Sequence, residues 1–268
     1  CYCNTPMRYA WDFYQDYLAG RPWVMRKLIS RQMHWIRQWD RLSADRVDHF
    51  IANSRNVKNR IYKHYRREAE VIYPPVDTDY FAPGDAKPED YFLCAGRLVG
   101  YKRIDLAVQA CTDMHLPLVV AGDGEELKSL RTMAGPTVEF RGRVSDAELL
   151  KLYQNCRAFI FPGEEDFGIT PLEAQACGRP VIAYGKGGAL ETVVGEQTGI
   201  FFMEQTIDSL RLALETFIEC ESTFDPMLIR QQAIKFSRQR FLEEFKATVN
   251  RCYEDFQARI KGDKEKSC

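Results

Sequence analysis

Glu165 and Glu173 are separated by seven residues in the stretch Phe161-Pro162-Gly163-Glu164-Glu165-Asp166-Phe167-Gly168-Ile169-Thr170-Pro171-Leu172-Glu173. An apolar run ends at Pro162-Gly163, a loop with three carboxylates follows, and a helix is expected to begin after Thr170. Anions beside a helix start suit its dipole. Their oxygens are also the acceptors that sugar and ribose hydroxyls need. Glu173 has a second reading, because Thr170-Pro171-Leu172-Glu173 is a capping box with proline at the first helical position. Glu165 has no such local duty, and its plain alternative is an exposed loop acid.

A second constellation is Ala95-Gly96-Arg97-Leu98-Val99-Gly100-Tyr101-Lys102, which follows an apolar run and opens a helical pattern. Glycine lets backbone N–H groups approach a ligand, and a helix N-terminus offers partial positive charge to an anion. Arg97 as a fork and Lys102 as a point charge could then bracket a diphosphate. A surface loop with two solvated cations accounts for the same residues. A third stretch, Tyr184-Gly185-Lys186-Gly187-Gly188-Ala189-Leu190-Glu191, reads either as a turn presenting bare N–H groups to the same ligand or as a tight turn without one.

These stretches lie in a regular frame. Apolar runs at 91–95, 116–121, 138–140, 158–161, 180–183 and 199–202 alternate with helical patterns at 104–112, 125–133, 145–155, 171–177 and 190–194. That alternation specifies a parallel sheet with helices on both faces, whose ligand sits outside the carboxyl ends of the strands. Helices are expected at 209–220 and 226–236, then a long amphipathic one from about Arg238 to Ile260 and a solvated tail. Upstream, 12–42 reads as helical, 46–53 as a short strand and 54–67 as a basic helix capped by Ser54. Pro74-Pro75 stiffens an extended segment between the two parts.

Charge divides the 268 residues at the same place: residues 1–72 hold 14 basic and 7 acidic residues, and the remainder 23 and 31. With 45% hydrophobic and 28% charged residues the chain has the composition of a protein with a packed core. Nine cysteines, an odd number without C-x-x-C spacing, and four scattered histidines point to a reduced cytosolic protein without structural zinc. The basic part carries no reader motif for nucleic acid. Its segment 21–39 mixes aromatics with cations, which fits an anionic membrane surface or ordinary packing with a solvated basic face. The opening Cys1-Tyr2-Cys3-Asn4-Thr5-Pro6 reads as the end of a buried strand, so a fragment is expected.

The order and spacing of Arg97 and Lys102, the Glu165…Glu173 pair and Gly187-Gly188…Glu191 resemble glycosyltransferase family 4, of GT-B fold. Asn4–Trp11, Ala52-Asn53-Ser54, Tyr73–Asp77 and Phe236-Ser237…Arg240-Phe241 resemble its bacterial and archaeal mannosyltransferase-like branch. The resemblance implies an α/β chain in which 1–72 is the remnant of an acceptor-side domain and 73–236 a Rossmann-like donor-binding domain. It also implies that 237–268 holds a helix packing back towards the first part, and a tail. The family fold would add on the order of a hundred residues before Cys1.

By the same resemblance, Gly96, Arg97 and Lys102 meet the donor diphosphate, Glu173 the ribose diol and Glu165 the transferred sugar. Phe167, Gly168, Ile169 and Thr170 approach the donor, and Arg143 and Val144 the nucleobase. Asn4 stands where the branch usually has a histidine facing the sugar. The implied reaction is retaining hexosyl transfer without metal or cofactor, from GDP-mannose first and a UDP-sugar second, to a polysaccharide or lipid-linked glycan. It would take place in the cytoplasm or peripherally at the inner membrane face. A nucleotide-sugar-binding module without activity and a GT-B-fold epimerase are the alternatives.

Overall fold

The computed structural model describes residues 1–266 apart from 13, 15–17 and 19. The expected helix over those five residues, and the expected tail at 267–268, lie outside the described residues. Packing divides the chain into two units, Cys1–Tyr73 with Leu242–Cys268, and Pro74–Phe241.

In the first unit β1 (Tyr2–Cys3), β2 (Phe50–Ala52) and β3 (Ala69–Val71) form a parallel sheet in that order. Among the described residues the same stretch has the helices α1 (Arg8–Trp11), α2 (Trp23–Ala44) and α3 (Arg55–Tyr65). Ser54 caps α3, its hydroxyl accepting the Val57 N–H at 3.0 Å. Phe50 and Ala52 pack with Val57, Ile61 and Tyr65. The helix expected over 12–42 is interrupted. Gly20 takes a left-handed φ of 72°, and Pro22, which lacks an N–H, stands at the N-cap of α2.

The inner face of α2 is mixed, with Ile29, Met33 and Ile36 half-buried and Asp40 and Ala44 buried. Buried Asp40 accepts from Trp11 Nε1 at 2.7 Å and from the Tyr65 hydroxyl at 2.9 Å. Four large apolar residues of α2 face outward: Trp23 is 71% exposed, Leu28 61%, Trp35 62% and Trp39 61%. Half-buried Ile29, Met33 and Ile36 with exposed Arg26, Lys27 and Arg31 match packing with a solvated basic face, to which the exposed tryptophans are added.

The second unit contains β4 (Phe92–Ala95), β5 (Leu118–Ala121), β6 (Val138–Gly142), β7 (Phe159–Phe161), β8 (Val181–Tyr184) and β9 (Gly199–Phe202). All pair in parallel, in the order β6-β5-β4-β7-β8-β9. Side chains alternate between two cores, as the period of a strand requires. Phe92, Cys94, Leu118, Val120, Ile160 and Ile182 enter one, and Leu93, Ala95, Val119, Ala121, Phe159, Phe161, Val181 and Ala183 the other. The helices are α4 (Ile104–Asp113), α5 (Leu127–Met133), α6 (Asp146–Asn155), α7 (Ile169–Ala176), α8 (Ala189–Thr192), α9 (Ile207–Cys220) and α10 (Pro226–Ile234). Helix α11 (Arg238–Lys266) continues beyond the expected end at Ile260, which shortens the tail. From Leu242 it belongs to the first unit, where Phe245 meets Tyr2 edge-on at 6.0 Å. Cys94, Cys111, Cys156 and Cys177 are free and buried in the second unit.

Candidate functional site

In the sheet order the fourth strand of the second unit, β7, lies beside its first, β4, while the second and third lie on the other side of β4. This reversal opens a crevice beyond the carboxyl ends of those two strands. After β4, Gly96 adopts φ 138°, and a Cβ there would lie 2.9 Å from Lys102 Nζ. After β7, a Cβ on Gly163 would lie 2.7 Å from Lys102 Cα. Lys102 thus threads between two glycines and ends 3.0 Å from Glu165 Oε1, joining the two loops across the reversal. The helix expected from Ile104 begins there. Lys102 closes a short 3-10 turn (Gly100–Lys102), and α4 begins after Arg103, which is left-handed and pairs with Asp105 at 3.1 Å.

Beside the pair lies a cleft of about 650 Å³ across the ends of β4, β5 and β6. Gly96, Arg97, Arg143, Val144 and Thr170 line it, so the structure gathers five of the expected donor residues. Arg97 and Arg143 are exposed. The loops are stitched together beneath them. Gly96 N–H donates to the Ala121 carbonyl at 2.9 Å and Gly122 N–H to the Gly142 carbonyl at 2.7 Å. A Cβ on Gly122 (φ 142°) would fall 1.8 Å from the Gly96 oxygen, so no side chain fits there. Asp123 also lines the cleft. The sequence reading passed over it, although an acid between Gly122 and Gly124 directly after an apolar strand was a usable signal.

The carboxylate pair behaves differently from its sequence reading at one point. Helix α7 starts at Ile169 with left-handed Gly168 (φ 87°) as N-cap and no capping side chain. Thr170 is therefore inside the helix and the capping box does not form. Glu173 instead accepts a hydrogen bond from the Tyr153 hydroxyl at 3.0 Å. Burial raises the Glu173 pKa, and the Tyr153 hydrogen bond works against that rise. The first N–H groups of α7 have no intrahelical partner and no capping side chain, which leaves donors suited to an anion or a hydroxyl. Ile169, at the first position of that turn, is exposed.

The glycine turn after β8 has a bracing role that the sequence did not reveal. Gly188 N–H donates to the Glu165 carbonyl at 2.8 Å, so it is not a bare group. A Cβ on Gly187 would lie 2.5 Å from that carbonyl, and one on Gly188 2.2 Å from Phe167 Cα. Lys186 pairs with Glu164 at 3.1 Å. Phe167 itself is buried, its ring 5.7 Å from that of Phe236, so its side chain anchors the loop and does not line the cleft. Asn4 is exposed, at the carboxyl end of β1 in the first unit. Among the described residues no group of His, Cys, Asp and Glu could hold a metal ion.

A doubly wound sheet whose strand-end loops combine cations, carboxylates and close-packed glycines defines an α/β protein with a candidate ligand crevice at its strand ends. The family described as glycosyl transferases group 1 matches residues 76–240, and glycosyltransferase family 4 matches 11–80. The chain belongs to the group 1 glycosyl transferases, and its fold is of the GT-B type. It is 25% identical over 214 residues to an uncharacterized glycosyltransferase of Methanocaldococcus jannaschii, covering 78% of this chain and 60% of that protein. It is 32% identical over 190 residues to a GDP-mannose-dependent alpha-mannosyltransferase of Mycolicibacterium smegmatis, covering 66% and 49%. The chain thus spans about half to three-fifths of the length of these relatives. Among solved structures, Anabaena HepE in complex with UDP and glucose superposes with a TM-score of 0.72 at 20% identity, over 80% of this chain and 66% of that one.

Proposed function

We propose that this chain is the donor-binding half, with part of the acceptor half, of a retaining glycosyltransferase that uses a nucleoside-diphosphate sugar. The observation that carries the reading is the Lys102–Glu165 pair at 3.0 Å beside the cleft that holds Arg97, Arg143 and Thr170. Arg97 and Lys102 neutralise the diphosphate. Glu173 holds the ribose diol, Glu165 takes hydroxyls of the transferred sugar, and the backbone at Arg143-Val144 meets the base. The uncapped start of α7 adds N–H donors, so the leaving diphosphate is stabilised by protein cations and dipoles without a metal. Retention follows from front-face attack, the leaving phosphate taking the acceptor proton. Asn4 serves the sugar by hydrogen bonding alone, since an amide does not ionise.

GDP-mannose is the first donor, supported by the mannosyltransferase of Mycolicibacterium smegmatis, and a UDP-sugar is the second, supported by HepE with UDP and glucose. The acceptor is a polysaccharide or a lipid-linked glycan. Among the described residues no helix is long and apolar enough to cross a membrane. The outward Trp23, Leu28, Trp35 and Trp39, with exposed Arg26, Lys27 and Arg31 on the same helix, support peripheral contact with an anionic membrane from the cytoplasmic side. Calorimetry against GDP, UDP and ADP tests the donor reading. Binding of GDP ahead of UDP is expected. Failure of all three to bind would sink it, and binding without hexosyl transfer to any acceptor would favour the binding-module alternative.

A further inference from the structure

Glu173 is a half-buried carboxylate, and the influences on its charge are burial, Tyr153 and Asp146, with no cation among them. Its partner Tyr153, on α6, is fully buried. The tyrosine ring is fixed edge-on between Phe81, at 5.8 Å, and Phe159, at 5.6 Å. Held in this way, its hydroxyl is aimed at Glu173 Oε2 across 3.0 Å. Burial and the adjacent Glu173 push the Tyr153 pKa well above the usual phenol range, so the hydroxyl remains a donor wherever the carboxyl titrates. Leu149, one turn before Tyr153 on α6, and Thr170, one turn before Glu173 on α7, both line the cleft. The Tyr153–Glu173 contact therefore sits one turn behind the cleft wall, on the same two helix faces.

We propose that Tyr153 is a positioning residue for the nucleotide: its hydroxyl fixes one oxygen of Glu173 and leaves the other to face the ribose diol. This rests on the assignment of Glu173 to ribose. It also explains why a carboxylate set against a buried wall can serve as an oriented acceptor, because a charge-assisted hydrogen bond holds both its direction and its ionised form.

The charge balance gives the proposal a readout that packing alone would not move. Facing Glu173 are Tyr153 and Asp146 from α6 and, at the end of its own helix, Cys177, a thiol that burial pushes up to about 12 and so keeps neutral. Of these, only the Tyr153 hydrogen bond lowers the Glu173 pKa. Removing the hydroxyl raises that pKa further. Nucleotide binding, which falls as Glu173 protonates, then begins to fall at a higher pH.

The test is calorimetry of the full chain with GDP and with 2′,3′-dideoxy-GDP, from neutral to acid pH. Tyr153→Phe is expected to weaken GDP by about five- to tenfold, the scale of one net hydrogen bond. The dideoxy compound should be nearly unaffected, and the acid fall in GDP affinity should move to higher pH. Equal losses for both ligands, or no loss with only a lower melting temperature, would overturn the proposal. Glu173→Gln separates it from the site reading. If that variant keeps the preference for GDP over the dideoxy form, the ribose assignment itself fails. If it abolishes the preference while Tyr153→Phe retains it, only the positioning role fails. Should Tyr153→Phe not fold, replacing Tyr153 with 3-fluorotyrosine keeps the packing and strengthens the donor. The acid fall should then move to lower pH, and an unmoved profile would overturn the proposal.

Discussion

Both units are parallel sheets, and parallel sheets need cover on both faces, but the two meet this need differently. In the second unit β4, β5, β7 and β8 each send alternate residues into two separate cores that helices complete on either side. In the first, β2 sends Phe50 and Ala52 into one small cluster, while α2 turns a mixed face with buried Asp40 inward and its tryptophans out. Buried apolar area is the main favourable term in folding, so the second unit's hydrophobic residues are accounted for by its own stability. The tryptophans of α2 are not, and their composition has to be explained by something outside the unit.

The sharpest way to break this contrast is to compare one aromatic from each unit. Phe92 is fully buried and meets Phe217 edge-on at 5.8 Å. Phe92→Ala should cost about 3–5 kcal/mol in denaturant unfolding, the range for emptying an aromatic site in a core. Trp35→Ala should change stability by no more than ~0.5 kcal/mol, as surface substitutions do. A loss at Trp35 comparable with that at Phe92 would show that α2 is packed in solution.

Within the second unit, Arg97→Ala and Lys102→Ala should each weaken GDP binding by about 1.5–3 kcal/mol, the scale of hydrogen bonds to charged groups. Lys102→Ala should be the worse of the two, because it leaves the Glu165 carboxylate unpaired beside the phosphates. Both should affect GMP less, and equal losses for diphosphate and monophosphate would count against the assignment.

The outward face of α2 is tested by sedimentation with vesicles containing anionic lipid. Trp35→Ala combined with Trp39→Ala should lower partitioning about tenfold, in line with withdrawing apolar side chains from an interface. Undiminished binding of that variant would exclude the tryptophans as the contact. The smallest expected effect is at Glu165. Glu165→Gln should leave GDP affinity unchanged or slightly higher, since Lys102 loses its competing partner, while GDP-mannose binds more weakly. Parallel losses for GDP and GDP-mannose would remove the sugar role.

What the sequence made legible follows from the range of the forces involved. Strand and helix positions in the second unit came from alternation and turn residues, which are local, and the boundaries shifted by only a few residues. The Glu165…Glu173 spacing and the Ser54 cap are equally local. The Tyr153–Glu173 bond joins residues 20 apart through two different helices, and periodicity carries no trace of it. Gly187 and Gly188 announced a turn, but only the fold reveals that they bear on Glu165 and Phe167 from another strand end. At Thr170 a valid local motif lost to Gly168, whose left-handed backbone started the helix earlier. Asp40 of α2 is buried with hydrogen bonds from Trp11 and Tyr65, 29 and 25 residues away, which the sequence pattern likewise does not carry.

The four buried cysteines carry a consequence for how this protein can be watched. Burial pushes the thiols of Cys111, Cys156 and Cys177 up to about 12 and raises that of Cys94 well above the usual thiol range. Because the thiolate is the reactive form, these sites are silent to alkylating reagents while the second unit is closed. They become reactive only when one or other of its two cores opens. Cys94 and Cys111 belong to one core and Cys156 and Cys177 to the other, so pulsed alkylation read by peptide mass would time the opening of each face of the sheet separately. The fold has in effect placed a chemical clock on either side of its central sheet, with no label needing to be introduced.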